Sequence, residues 1–155
     1  SSIEKAFTAA GAVDAVVCTF GGNIPLKPVT TMTKEDYIQG MREKLLGQID
    51  VVLIGSKYLT AGGCFTLTTG ILHQEVVPGG SCLALINSAL ESFVESAAFE
   101  MPYGLRLNAV APKLLQSSAK KYANLLQGFD AIADDVAALK YLKSIYGIIN
   151  GKIIR

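Results

Sequence analysis

Apolar residues along this chain gather in short runs that alternate with longer stretches repeating every three or four positions. Ser2 to Ala10 places Ile3 and Phe7 on one helical face and stops at Gly11. Val13 to Phe20 is an almost unbroken apolar run closed by Gly21-Gly22, the pattern of a strand buried on both faces. Asn23 to Thr31, with Pro25 and Pro28, reads as a loop over the end of that strand. Thr33 then caps a helix whose first turn carries Asp36. Tyr37, Met41, Leu45 and Ile49 continue it as far as Leu59, with Gly62-Gly63 as its stop. A second buried strand is expected at Cys64 to Thr69, and a loop from Gly70 to Gly80. A long helix rich in small residues follows over Ser81 to Glu100, and a third strand over Leu105 to Val110. Lys113 to Gly128 reads as loop and helix, Asp134 as the cap of a helix to Tyr146, and Gly151 to Ile154 as a last short strand.

Strands separated by helical stretches imply βαβ units, right-handed crossovers and a parallel sheet covered on both faces, an α/β fold in one domain over residues 1–155. The first strand raises a difficulty. It is apolar on both sides, and as a sheet edge it would expose a hydrophobic face and unpaired backbone. A preceding segment or another subunit is expected beside it.

Half of the 155 residues are hydrophobic and 17% are charged. No apolar run reaches the roughly 18 to 20 residues of a membrane span, so the surplus is expected between layers or between subunits. A net charge of +1 without a one-sided basic cluster gives no reason to expect nucleic acid or an acidic membrane surface. Cys18, Cys64 and Cys82 are odd in number and lack metal-ligand spacing, which predicts free thiols, no metal site and a reduced, cytoplasmic protein. The polar, acidic start Ser1-Ser2-Ile3-Glu4 is unlike a secretory leader, and the absence of an opening Met suggests numbering that starts inside a longer protein.

Several residues are candidates for chemistry, each with a plainer alternative. Thr69 ends a strand, where its hydroxyl could orient a ligand or simply suit the strand. Lys44 could reach a site or be a solvated helix lysine. Asn87, in an apolar stretch, must find hydrogen-bond partners whatever its role. His73 is the only histidine and the only nearby side chain that titrates near neutrality, or else a surface loop residue. The pairs Gly62-Gly63 and Gly79-Gly80 lack the strand–turn–helix context of a phosphate loop.

Three segments carry a resemblance. Thr68-Thr69-Gly70 ends a strand, Asn87-Ser88-Ala89-Leu90-Glu91 lies on the helix after it, and Leu105-Arg106-Leu107-Asn108-Ala109-Val110-Ala111-Pro112 forms the next strand. Together they resemble the second half of the short-chain dehydrogenases/reductases, and the resemblance runs over nearly the whole chain. It implies a Rossmann-like, doubly wound parallel sheet of which these residues form the C-terminal two-thirds, the family's glycine-rich cofactor turn lying before residue 1. It also implies NAD or NADP as cofactor, a small carbonyl or alcohol substrate, and a homodimer or homotetramer.

The resemblance departs from the family where the chemistry is. The family's Tyr-x-x-x-Lys pair falls on Leu83 and Asn87, and the Asn of its Asn-Leu-x-Gly helix falls on Lys44. Its catalytic Ser falls on Thr69. Gly21 keeps the glycine of Asn-Asn-Ala-Gly, while Pro112 and Lys113 occupy the Pro-Gly position. The resemblance thus implies catalytic roles for Thr69 and Lys44, and cofactor contacts from Gly21, Asn87, Pro112 and Lys113; His73, from its place in the loop after Thr69 and its imidazole, is expected as a replacement acid. Lys44 and Asn87 are expected to have exchanged helices while keeping a ribose contact. The alternative is a relative without catalysis, binding nucleotide or serving assembly alone.

Overall fold

A computed structural model describes all of residues 1–155. Its elements are α1 (Ser2–Ala10), β1 (Val13–Val17), α2 (Lys34–Gly40), a π-helical turn (Met41–Leu46), α3 (Gly47–Gly55), β2 (Leu59–Thr68), α4 (Ser81–Ala97), β3 (Arg106–Val110), β4 (Leu114–Leu115), α5 (Gln116–Tyr122), β5 (Ala131–Ile132), α6 (Asp134–Tyr146) and β6 (Ile153–Ile154). The main sheet has the order β1-β2-β3-β6 with every pair parallel. Between its third and fourth strands the chain makes a small parallel pair, β4-β5, bridged by α5.

Alternation along the central strands separates the two layers. Phe65 and Leu67 of β2, with their register partners Leu107 and Ala109 of β3, are fully buried in one core with Phe7 of α1, Val51 and Val52 of α3, and Ile86, Leu90 and Val94 of α4. The intervening residues meet α6 and the segment that follows it through polar contacts: the Thr66 and Ser144 hydroxyls lie 2.7 Å apart, and Asn108 Nδ2 donates to Ile149 O beyond the helix. Helices therefore cover both faces.

Thr33 caps α2 in a capping box, its hydroxyl accepting from Asp36 N while Asp36 Oδ2 accepts from Thr33 N at 2.7 Å. Lys27 ties the preceding loop to this cap at 2.8 Å. That ammonium, helped by the Thr33 backbone and hydroxyl, holds the Asp36 carboxyl down at about 2.

Three boundaries differ from the sequence expectation. The helix begun at Lys34 ends at Gly55, and Gly62-Gly63 belong to β2. There β2 advances from Leu59 to Cys64 while β1 advances from Val13 to Ala15, an irregularity that makes room for three extra residues. Gly62 sits at φ 78°, and a Cβ on Gly63 would come within 2.9 Å of the Asp14 and Thr60 carbonyl oxygens. Two glycines serve a bulge here, which in sequence looks the same as a helix stop. Asp134 is the first residue of α6 and not its cap; its carboxylate accepts from Ser117 N at 3.4 Å.

β1 is an edge strand, and a hollow of about 350 Å³ lined entirely by apolar residues of α1, β1, its C-terminal extension and α3 runs along it. Val17 and Phe20 remain 40% and 43% exposed. No helix is long and apolar enough to cross a membrane.

Candidate active site

The C-terminal ends of β1, β2 and β3 point the same way, and in open parallel sheets ligands bind outside these ends. A buried polar cluster stands there. The Lys44 side chain runs from the π turn beneath Gly21, whose hydrogen leaves the Lys44 stem within 3.8 Å of a hypothetical Cβ. Its ammonium donates to Asn87 Oδ1 at 2.8 Å and to Thr69 O at 2.9 Å. Lys44 is only 6% exposed, and none of the ion pairs includes it. Burial without a counter-ion pulls its ammonium down to about 8. The third N–H has no acceptor within the protein.

A second hub lies behind Thr69. The Thr69 hydroxyl donates to Glu91 Oε1 at 3.0 Å. Glu91 Oε2 faces His73 Nε2 at 3.2 Å and also receives the Arg155 guanidinium. His73 Nδ1 lies 3.1 Å from Gly70 O. The histidine thus ties a helical turn (Ile71–His73) to α4 and does not face the neighbouring cavity.

That cavity, about 330 Å³, opens beside the polar cluster. Thr69, Gly70, Asn87, Pro112 and Lys113 form one side of it, and Leu83 stands among them. Leu114, Leu115, Ser118, Tyr122, Leu125 and Leu126, from the β4–α5 lobe, also line it. Of the residues singled out from sequence, Thr69, Asn87, Pro112 and Lys113 line the cavity directly. Lys44 stands behind Asn87, Gly21 over Lys44, and His73 behind Thr69. Leu83, at the position of the missing tyrosine, supplies an apolar wall and no proton.

Three contributors were not assigned from the sequence. Glu91 is 8% exposed and holds the second hub. Its signal is a carboxylate on the inward face of an otherwise small and apolar helix. Gln48 is fully buried; its amide donates to Phe20 O and Thr68 O and accepts from Thr68 N, fastening the ends of β1 and β2 together. Tyr122 belongs to a lobe whose packing no local pattern announces. No group of three or more His, Cys, Asp or Glu side chains is placed to hold a metal ion.

Comparison with known proteins places this geometry. Residues 1–148 match the family model described as Enoyl-(Acyl carrier protein) reductase. The chain belongs to the short-chain dehydrogenase/reductase family. The crystal structure of the protein lin1944 from Listeria innocua is similar over 99% of this chain and 76% of that one, at 37% identity and a TM-score of 0.95. A small-chain dehydrogenase solved in complex with NADPH is 27% identical, with 99% of this chain and 76% of that one covered and a TM-score of 0.83. The short-chain dehydrogenase/reductase ucsE of an Acremonium species is 22% identical over 90% of this chain, which spans 58% of that relative.

Proposed function

We propose that this protein is an NAD(P)-dependent oxidoreductase acting on a carbonyl or alcohol substrate, its ribose contacts supplied by Lys44 and Asn87 on exchanged helices. The observation that carries the reading is the 2.8 Å bond from Lys44 Nζ to Asn87 Oδ1 at the C-terminal end of the sheet. The residues fit such a cofactor. Gly21 leaves space over the lysine stem, Pro112 and Lys113 flank the cavity, and the Lys44 ammonium beside Asn87 keeps one N–H without a protein acceptor. A nicotinamide, when bound, supplies hydride chemistry, and the protein supplies position and electrostatics. Asn87 and Lys44 hold the ribose end. Thr69 accepts from the hydroxyl of the alcohol form of the substrate, because its own proton is directed to Glu91. His73 and Glu91 fix Thr69 in that orientation.

The relative solved with NADPH supports the cofactor class. The substrate cavity supports a small molecule with an apolar body. Three free cysteines, all buried, support a reducing, cytoplasmic location. A homodimer or homotetramer is supported by the outward face of α4 and the turn after it, where Leu85 and Phe99 are exposed around Ser88, Ser92 and Ser96. Leu83 in place of a tyrosine favours a second reading, a nucleotide-binding relative without turnover. Fluorescence titration with NADPH and NADH, followed by assay with carbonyl compounds, tests both. Saturable binding with turnover fits the first reading, binding alone the second, and no binding defeats both.

A further inference from the structure

The pocket needs a proton donor, and its former supplier is Leu83. The groups nearest the reacting end are engaged elsewhere: the Thr69 proton goes to Glu91, both His73 nitrogens face protein acceptors, and the Lys44 ammonium lies outside the cavity. Tyr122 lines the same cavity and is the only phenol in its wall. Tyr122 also borders an adjoining hollow with Gly22 and Asn23, at the end of β1. It therefore stands where the substrate cavity meets the crevice over the strand ends. The Lys121 ammonium lies 5.2 Å from the centre of its ring, a cation–π contact that steadies the ring's orientation. A neutral phenol can enter an apolar pocket without burying charge, unlike an ammonium, and is a far stronger acid than the Ser118 alcohol.

We propose that Tyr122, from the β4–α5 lobe, is the proton donor of this pocket, replacing from a different element the phenol absent at Leu83. The inference rests on the oxidoreductase reading. The carbonyl carbon of the substrate accepts hydride from the reduced nicotinamide cofactor, and the carbonyl π pair moves to oxygen. That oxygen takes the Tyr122 proton, and the resulting phenolate regains one from water entering beside Lys121. The products are the alcohol and the oxidised cofactor. In the reverse direction the phenolate accepts the alcohol proton.

The test uses the full-length protein, NADPH and 2-octanone. Tyr122→Phe should lower kcat about 10²- to 10⁴-fold, the usual loss on removing a positioned acid, while NADPH binding followed by fluorescence stays at the wild-type level. Adding Leu83→Tyr to Tyr122→Phe should recover at least about tenfold of that rate, or 1.4 kcal/mol of barrier. Independently of turnover, saturating 2-octanone should perturb a tyrosine absorption band in the wild type that is missing from the difference spectrum of Tyr122→Phe. Wild-type kcat in Tyr122→Phe, the same perturbation in that variant, or NADPH binding without reduction of 2-octanone by the wild type would each overturn the assignment. Failure to bind NADPH at all would instead defeat the oxidoreductase reading beneath it.

Discussion

At the residue scale, Lys44 is a buried cation whose only partners are neutral oxygens. Its ammonium sits at about 8 in the folded protein, below the ordinary 10.5. Between those values the unfolded chain binds more protons than the folded one, so unfolding free energy rises with pH across this window. Against Lys44→Met, which cannot titrate, wild-type stability should gain up to about 3 kcal/mol between pH 8 and 10.5. Urea unfolding of both proteins across that range measures it, and parallel curves would mean that Lys44 is not held as described. The existence of this site was legible at single residues: Lys44, Asn87 and Thr69 were singled out, and the fold brings all three within hydrogen-bonding distance. Glu91 was not, because a glutamate in a helix is ordinary until its neighbours across the fold are known. His73 was legible as a titratable group near the site but not in its orientation, which a contact with Glu91 decides.

At the scale of elements, the helical stripe Tyr37, Met41, Leu45 and Ile49 repeats every four residues, and all four pack partly buried against the core. In a regular α-helix three such steps drift by about 120°. The π turn at Met41–Leu46 takes up that drift with its wider winding, and Lys44 lies within it. The spacing was readable in sequence; its consequence for the winding was not drawn from it. Strand and helix order was also legible, since buried runs and small-residue helices differ in length and period. The span from Gly55 to Gly63 was misplaced because glycine marks close packing and bulges as well as helix ends. At Gly55 a Cβ would come within 2.5 Å of the Phe7 ring and 3.0 Å of Phe65. Gly55→Ala should therefore destabilise by about 1–3 kcal/mol through overpacking, although alanine is the better helix former by about 1 kcal/mol. Thermal denaturation of the variant measures this, and an unchanged or raised Tm would show that α1 can step away from α3.

At the scale of the whole molecule, two apolar surfaces exceed what the sheet and helices bury among themselves. One is the hollow along β1, which the double-sided hydrophobicity of Val13–Val17 had announced. The other is the outward face of α4 and the turn after it, where Ser92→Arg would set a long charged side chain among Leu85, Ser88, Ser96 and Phe99. Light scattering of that variant should give a smaller assembly than the wild type, and an unchanged mass would remove this face from the assembly. The β4–α5–β5 lobe was legible only as loop and helix, since a two-residue strand leaves no period to read.

The proposed ribose-binding pair of Lys44 and Asn87 on exchanged helices is tested most directly by an NADPH titration of four proteins: wild type, Lys44→Asn, Asn87→Lys and the double variant. Each single change should weaken binding about tenfold or more, a loss of at least 1.4 kcal/mol. It leaves either two amides without the ammonium or two ammonium groups facing each other. The double variant restores one lysine and one asparagine in the family's arrangement, and should bind close to the wild type. A double variant no better than the sum of its single losses, or single variants that bind NADPH as the wild type does, would contradict the exchange.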